Sequence, residues 1–108
     1  MTILDDNSVR TRQVHTFRVD DVTVLSIDGD FDVTAARQMR QVLERLRPDD
    51  HVIVDCVDVD FIDGSGLDVL CWLAKRNLAA GGPLHVLASP AVRSTVMLSG
   101  LESLIALD

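Results

Sequence analysis

In Phe61-Ile62-Asp63-Gly64-Ser65-Gly66-Leu67-Asp68-Val69-Leu70, two glycines and two short polar residues separate an apolar run that arrives from one that leaves. Upstream, His51-Val52-Ile53-Val54-Asp55 is continuous and β-branched, the pattern of a strand central in a sheet or covered on both faces. Downstream, Leu67, Leu70, Cys71, Ala74 and Leu78 recur three and four residues apart, which predicts a helix with one apolar stripe. Its start falls near Ser65 or Gly66, with Ser65 and Asp68 as a capping-box-like pair and Asp63 as a competing cap. A left-handed backbone that only glycine takes cheaply is the expected reason for Gly64. Strand, tight turn and helix form the repeating step of an α/β domain.

Such a junction turns free backbone N–H groups and the positive end of a helix dipole toward whatever approaches. A phosphate-binding loop is excluded by composition. The loop has no lysine or arginine, Asp63 and Asp68 would repel the anion, and the Walker spacing is absent. Gly64-Ser65-Gly66 also lacks the G-x-S-x-G spacing of a nucleophile elbow, and no histidine is placed by the sequence to serve Ser65. Neither catalysis nor a bound cofactor is expected.

Outward from this junction the same alternation continues. Val14 to Val19 reads as an edge strand and Val22 to Ile27 as a better one, followed by a turn over Asp28 to Asp32. Thr34 is placed as the N-cap of a helix whose stripe is Ala35, Met39, Val42, Leu43 and Leu46, with Arg37, Arg40, Arg45 and Arg47 off the stripe and Pro48 as the stop. After Ala79-Ala80-Gly81-Gly82-Pro83, Leu84 to Ala88 is a strand. Ser89-Pro90 is a cap followed by proline at the first helical position. Gly100 closes that helix with Leu101 behind it, and Ser103 to Leu107 is a last strand. The order is β-β-α-β-α-β-α-β, a mixed sheet covered by helices. Residues 1–13 are polar and without period and are expected to be a flexible tail, leaving 14–108 as the domain.

The whole chain fits that picture. Its 108 residues suffice for one core, and 47% apolar with 25% charged residues is ordinary for a globular domain. The longest apolar run, Val69 to Ala74, is far too short to cross a bilayer. Met1 to Arg10 has no signal-peptide pattern. A cytoplasmic protein without membrane insertion is expected. Seventeen acidic against ten basic side chains, net −7, disfavour nucleic acid, which requires a basic patch. Cys56 and Cys71, in apolar surroundings, read as small buried hydrophobes, with a redox pair as the alternative. Three scattered histidines and no ligand spacing predict no metal site.

Three stretches together resemble the STAS domains, and within them the bacterial anti-sigma factor antagonists. Gly29-Asp30-Phe31-Asp32 is similar to the family's Gly-Glu-Leu-Asp turn. Phe61 to Leu67 is similar to its Phe-Met/Ile-Asp-Ser-Ser/Thr-Gly-Leu loop. Ser89-Pro90-Ala91-Val92-Arg93, with Ser99-Gly100-Leu101 after it, is similar to its third helix. The resemblance implies a STAS fold and a non-enzymatic binding module. Such a module docks onto an anti-sigma factor, commonly kinase-like, releases a sigma factor, and is switched off by phosphorylation of a loop serine. The family's phosphoacceptor follows the loop aspartate. Here that residue is Gly64, which has no hydroxyl, and Ser65 one position later is the only loop hydroxyl left.

The resemblance therefore implies partner contacts around Asp30, Asp32, Asp63, Gly64, Ser65 and Gly66, with Ser65 as a displaced phosphorylation candidate. Val69, Trp72 and Leu73 form a second apolar side on the helix after the loop. Trp72 is expected either as an interface anchor with Arg76 as a rim contact, or covered by a neighbouring helix carrying Met97. Within the same fold the rival is an accessory subunit of a membrane lipid transporter ATPase, and a small-ligand sensor is a further class. Homodimerisation stays open.

Overall fold

The computed structural model describes residues 13–47 and 50–108. The observed elements are β1 (Val14–Val19), β2 (Val22–Phe31), α1 (Val33–Leu43), β3 (His51–Ile62), α2 (Gly64–Ala79), β4 (Leu84–Ala88), α3 (Pro90–Ser99) and β5 (Ile105–Leu107), with a 3-10 turn over Leu101–Ser103. This is the order read from the sequence. The strands form one mixed sheet in sequence order, β1 antiparallel to β2 and the rest parallel neighbours. Each parallel step moves the same way along the sheet, so right-handed crossovers lay all three helices on one face.

Burial follows that geometry. Leu25 and Ile27 of β2, Val54 and Cys56 of β3, and Leu84 and Val86 of β4 face the helices and are buried with Met39, Leu70, Leu73 and Val92. The opposite face keeps Phe17 and Val19 about half exposed. By strand register His15, His51 and His85 all project from this outer face, although they are far apart in the chain. Among the described residues no group of three or more His, Cys, Asp or Glu is placed to hold a metal ion. No described helix is long and apolar enough to cross a membrane.

Four local expectations are corrected. The turn expected over Asp28 to Asp32 is the end of β2, which runs on to a fully buried Phe31. β3 likewise continues past Asp55 to Ile62, so that Val59 and Ile62 join the core. Pairing irregularities between Ser26 and Asp28 and between Gly29 and Asp30 shift the alternation, with Gly29 at φ 75°. Bulges of this kind bend a strand without ending it and hide its period-two pattern.

The cap of α1 is Asp32, not Thr34: its Oδ1 accepts from the N–H groups of Thr34 (3.1 Å) and Ala35 (3.2 Å). The buried side of α2 is Gly66, Val69, Leu70, Leu73 and Ala74 rather than the Leu67–Leu78 stripe, and Leu78 is exposed. This helix packs on both the sheet and α1. Almost every position in it is apolar, so spacing alone did not say which side faces in.

At the chain start, Gln13 and Val14 N–H groups donate to Gln38 Oε1 (2.9 and 3.1 Å), and Gln13 Nε2 donates to the Asp30 carbonyl (2.7 Å). Gln13 is thus held by the domain. The expected tail otherwise lies outside the described residues, as does the Pro48 stop.

Candidate functional site

Phe31 and Ile62 are register partners at the C-terminal ends of β2 and β3. The next residue after each is an aspartate, and each aspartate caps the helix that follows. Asp63 Oδ1 accepts from Ser65 N (2.8 Å) and Gly66 N (3.1 Å), as Asp32 does for α1. The Asp63 N–H in turn donates to the Phe31 carbonyl at 3.3 Å. Two helix starts therefore emerge side by side from neighbouring strands, and α1 packs against α2 along their length. Both carboxylates are half-buried and committed to backbone N–H groups, each satisfying donors that the helix start leaves without partners.

The acidic residues expected to line one loop thus divide. Asp32 and Asp63 build the helix starts. Asp30 is exposed and pairs in register with Phe61, itself 54% exposed, on the outer-face side of the strand ends.

The two loop glycines have opposite roles. Gly66 is buried, and a Cβ there would collide with the Phe31 carbonyl oxygen and lie 2.9 Å from two carbons of its ring. It provides the close approach of α2 to β2. Gly64 is the first residue of α2, exposed, outside the left-handed region, with nothing within 4 Å of where a Cβ would sit. The positive φ expected for Gly64 is absent; among the described glycines it belongs to Gly29, Gly81 and Gly100.

Ser65 is half-buried and lines a groove of about 270 Å³ between the first turns of α1 and α2, together with Val33, Ala36, Arg37, Arg40 and Asp68. One turn farther along α2, Trp72 is 39% exposed and carries the Arg40 guanidinium 5.2 Å above its ring centroid. Val69 and Leu73, set on the same side as Trp72 by the sequence, are core residues.

Arg76 stands apart, ten residues or about 15 Å along the helix from Gly66. Its Nη2 donates to the Arg47 carbonyl (2.7 Å) and the Leu46 carbonyl (3.4 Å), fastening α2 to the chain leaving α1. Sequence reasoning missed the groove residues Val33, Arg37 and Arg40. Their signal was the pair of arginines three apart and off the apolar stripe, which places them on one helix flank.

Both cysteines are free. Burial, with the Asp55 charge adding to it, pushes the Cys56 thiol up to about 12. An attacking thiolate is thereby suppressed. A second hollow of about 340 Å³ lies at the other end of the parallel strands, lined by His51, His85, Asn77 and the turn from Ala80 to Pro83; it contains none of the expected site residues.

Residues 14–106 match the family described as Mlab, STAS domain. The chain belongs to the STAS domain family. Among solved structures, this STAS domain is similar to an anti-sigma factor antagonist from Mycobacterium paratuberculosis, with TM-score 0.71 and 26% identity over 87% of this chain and 82% of that one. It shares its fold with the anti-sigma factor antagonist SpoIIAA in its unphosphorylated form, TM-score 0.69 and 21% identity over 88% and 87%. A Thermotoga maritima candidate antagonist gives TM-score 0.76 and 18% identity over 90% and 86%.

Proposed function

We propose that this STAS domain is an anti-sigma factor antagonist. It docks onto a kinase-like anti-sigma factor through the surface where α1 and α2 begin, releases a sigma factor, and works without the loop-serine phosphoswitch. Asp30, Ser65 and Trp72 supply accessible contacts on that surface. Asp32, Asp63 and Gly66 act by shaping it, and Gly64 leaves its centre bare.

Gly64 carries the switchless part of this reading. It occupies the position where the resemblance puts the phosphoacceptor, yet its backbone is helical and the space around it is open. Nothing in the fold requires a glycine there, so the missing hydroxyl is not a structural necessity. Ser65 does not substitute for it directly, since the next residue of a helical turn points about 100° away. It faces the groove instead. The partner class is supported by the Mycobacterium paratuberculosis antagonist and by the three stretches that resemble the family.

The test is a native pull-down from lysate with ATP and Mg²⁺, read by mass spectrometry of both partner and bait. The expected result is an anti-sigma factor held by unmodified protein. Phosphate on Ser65 would overturn the switchless part, and capture of a transporter ATPase in its place would overturn the function.

A further inference from the structure

Seventeen acidic side chains outnumber ten basic ones in this chain, yet among the described residues the single ion pair is His15–Asp28 at 3.4 Å. Arg37 and Arg40 are exposed, three residues apart on one flank of α1, and line the groove that begins at Ser65. Asp68 lines the opposite wall without pairing with either of them. In so acidic a protein, two guanidinium groups left without a carboxylate beside an apolar wall are cations available to an outside anion.

Arg40 is also prepared for the task. Its guanidinium lies over the Trp72 ring. That contact restricts its rotamers and removes water from one face while leaving the edge N–H donors free. Less ordering then remains to be done when an oxyanion arrives, and a planar fork is suited to a carboxylate held by two parallel hydrogen bonds. Val33, 53% exposed, and the buried Ala36 supply the apolar part of the groove. Asp68 on the α2 wall repels a carboxylate from that side and so sets which way round a partner lies.

We infer that the Arg37–Arg40 groove is a docking subsite for an acidic side chain of the protein partner, presented on a helix with an adjacent apolar residue for the Val33 wall. This rests on the reading that the α1–α2 end docks a protein, and it adds the partner's chemistry: Glu or Asp beside an aliphatic side chain. Arg40, with Trp72 beneath it, becomes the residue that decides whether an acidic or a neutral partner is preferred.

The experiment uses the full chain and two short helical peptides, one with glutamates a turn apart beside a leucine face, the other with glutamine in their place. Trp72 fluorescence gives affinity and backbone amide NMR shifts give location. The glutamate peptide is expected to bind roughly tenfold tighter than the glutamine peptide, as one good charge-assisted contact allows. Its shifts should centre on residues 33–40 and 65–72, and the preference should vanish in Arg40→Gln and survive in Arg40→Lys. Equal affinities, shifts centred elsewhere, an unchanged preference in Arg40→Gln, or no binding of either peptide at millimolar concentration would each overturn the inference. No anti-sigma factor takes part in this test, so its failure is distinct from failure of the pull-down.

Discussion

Gly66 of α2 rests directly on Phe31 at the end of β2, with no room for even one side-chain carbon between the helix and that strand. This contact brings the capped starts of α1 and α2 to one surface. Gly66→Ala is expected to destabilise the domain by about 1–3 kcal/mol, the usual cost of forcing an added carbon into a packed contact. Urea denaturation of the two proteins measures it directly, and equal midpoints would contradict the packing account.

Gly64→Ser should behave in the opposite way. The site is open and helical, so the replacement is expected to leave stability unchanged or raise it by up to about 1 kcal/mol, because the unfolded chain loses freedom. The same variant restores the hydroxyl after Asp63. Incubated in lysate with ATP and Mg²⁺, it should acquire a phosphate that the natural protein does not. A marked loss of thermal stability would show that Gly64 is structurally required after all.

Asp32 and Asp63 hold equivalent helix starts, and each replaced by alanine should cost about 1 kcal/mol. The amide exchange of Thr34 and Ala35 should speed up in the first variant and that of Ser65 and Gly66 in the second. Loss of partner binding in Asp63→Ala together with this exchange change would identify a shaping role. Loss without it would identify a direct contact.

Arg76 separates stability from binding. Arg76→Met keeps the aliphatic stem and removes the bonds to the Leu46 and Arg47 carbonyls, so a loss of about 1–3 kcal/mol is expected, with partner affinity unchanged while the protein is folded. An affinity loss larger than the stability loss explains would return Arg76 to the interface.

Cys56 makes an alkaline prediction. Its thiol is held up at about 12 in the fold, so protonation there is equal in folded and unfolded chains below about pH 9. Between roughly pH 9 and 12 only the unfolded chain loses the proton, and stability should fall with a slope of about 1.4 kcal/mol per pH unit from this group. Cys56→Ala should lack that component of the slope. Thiol labelling at neutral pH should reach the half-buried Cys71 first, and equal rates for the two would sink the burial argument.

The sequence went far with this fold because its signals are local. Ser89-Pro90 and Gly100 bound α3 by capping chemistry that needs no neighbour, and the element order followed from periods of two and three to four. The bulged ends of β2 and β3 were hidden because one inserted residue inverts the inside–outside pattern for everything after it. α2 was misoriented because a helix apolar on nearly all sides carries no phase information until α1 and the sheet are in place.

At the site, the residues Asp63, Gly64, Ser65 and Gly66 were identifiable from the sequence as the strand-to-helix junction, as was the missing hydroxyl at position 64. The two aspartate caps, the opposite roles of two adjacent-looking glycines, and the meeting of Arg40 with Trp72 depend on residues separated by some thirty positions. Local order and turn chemistry are written along the chain because they arise between neighbours. Which glycine has no room, and which arginine has no carboxylate, is decided only when β2 and β3 end side by side and bring their helices together.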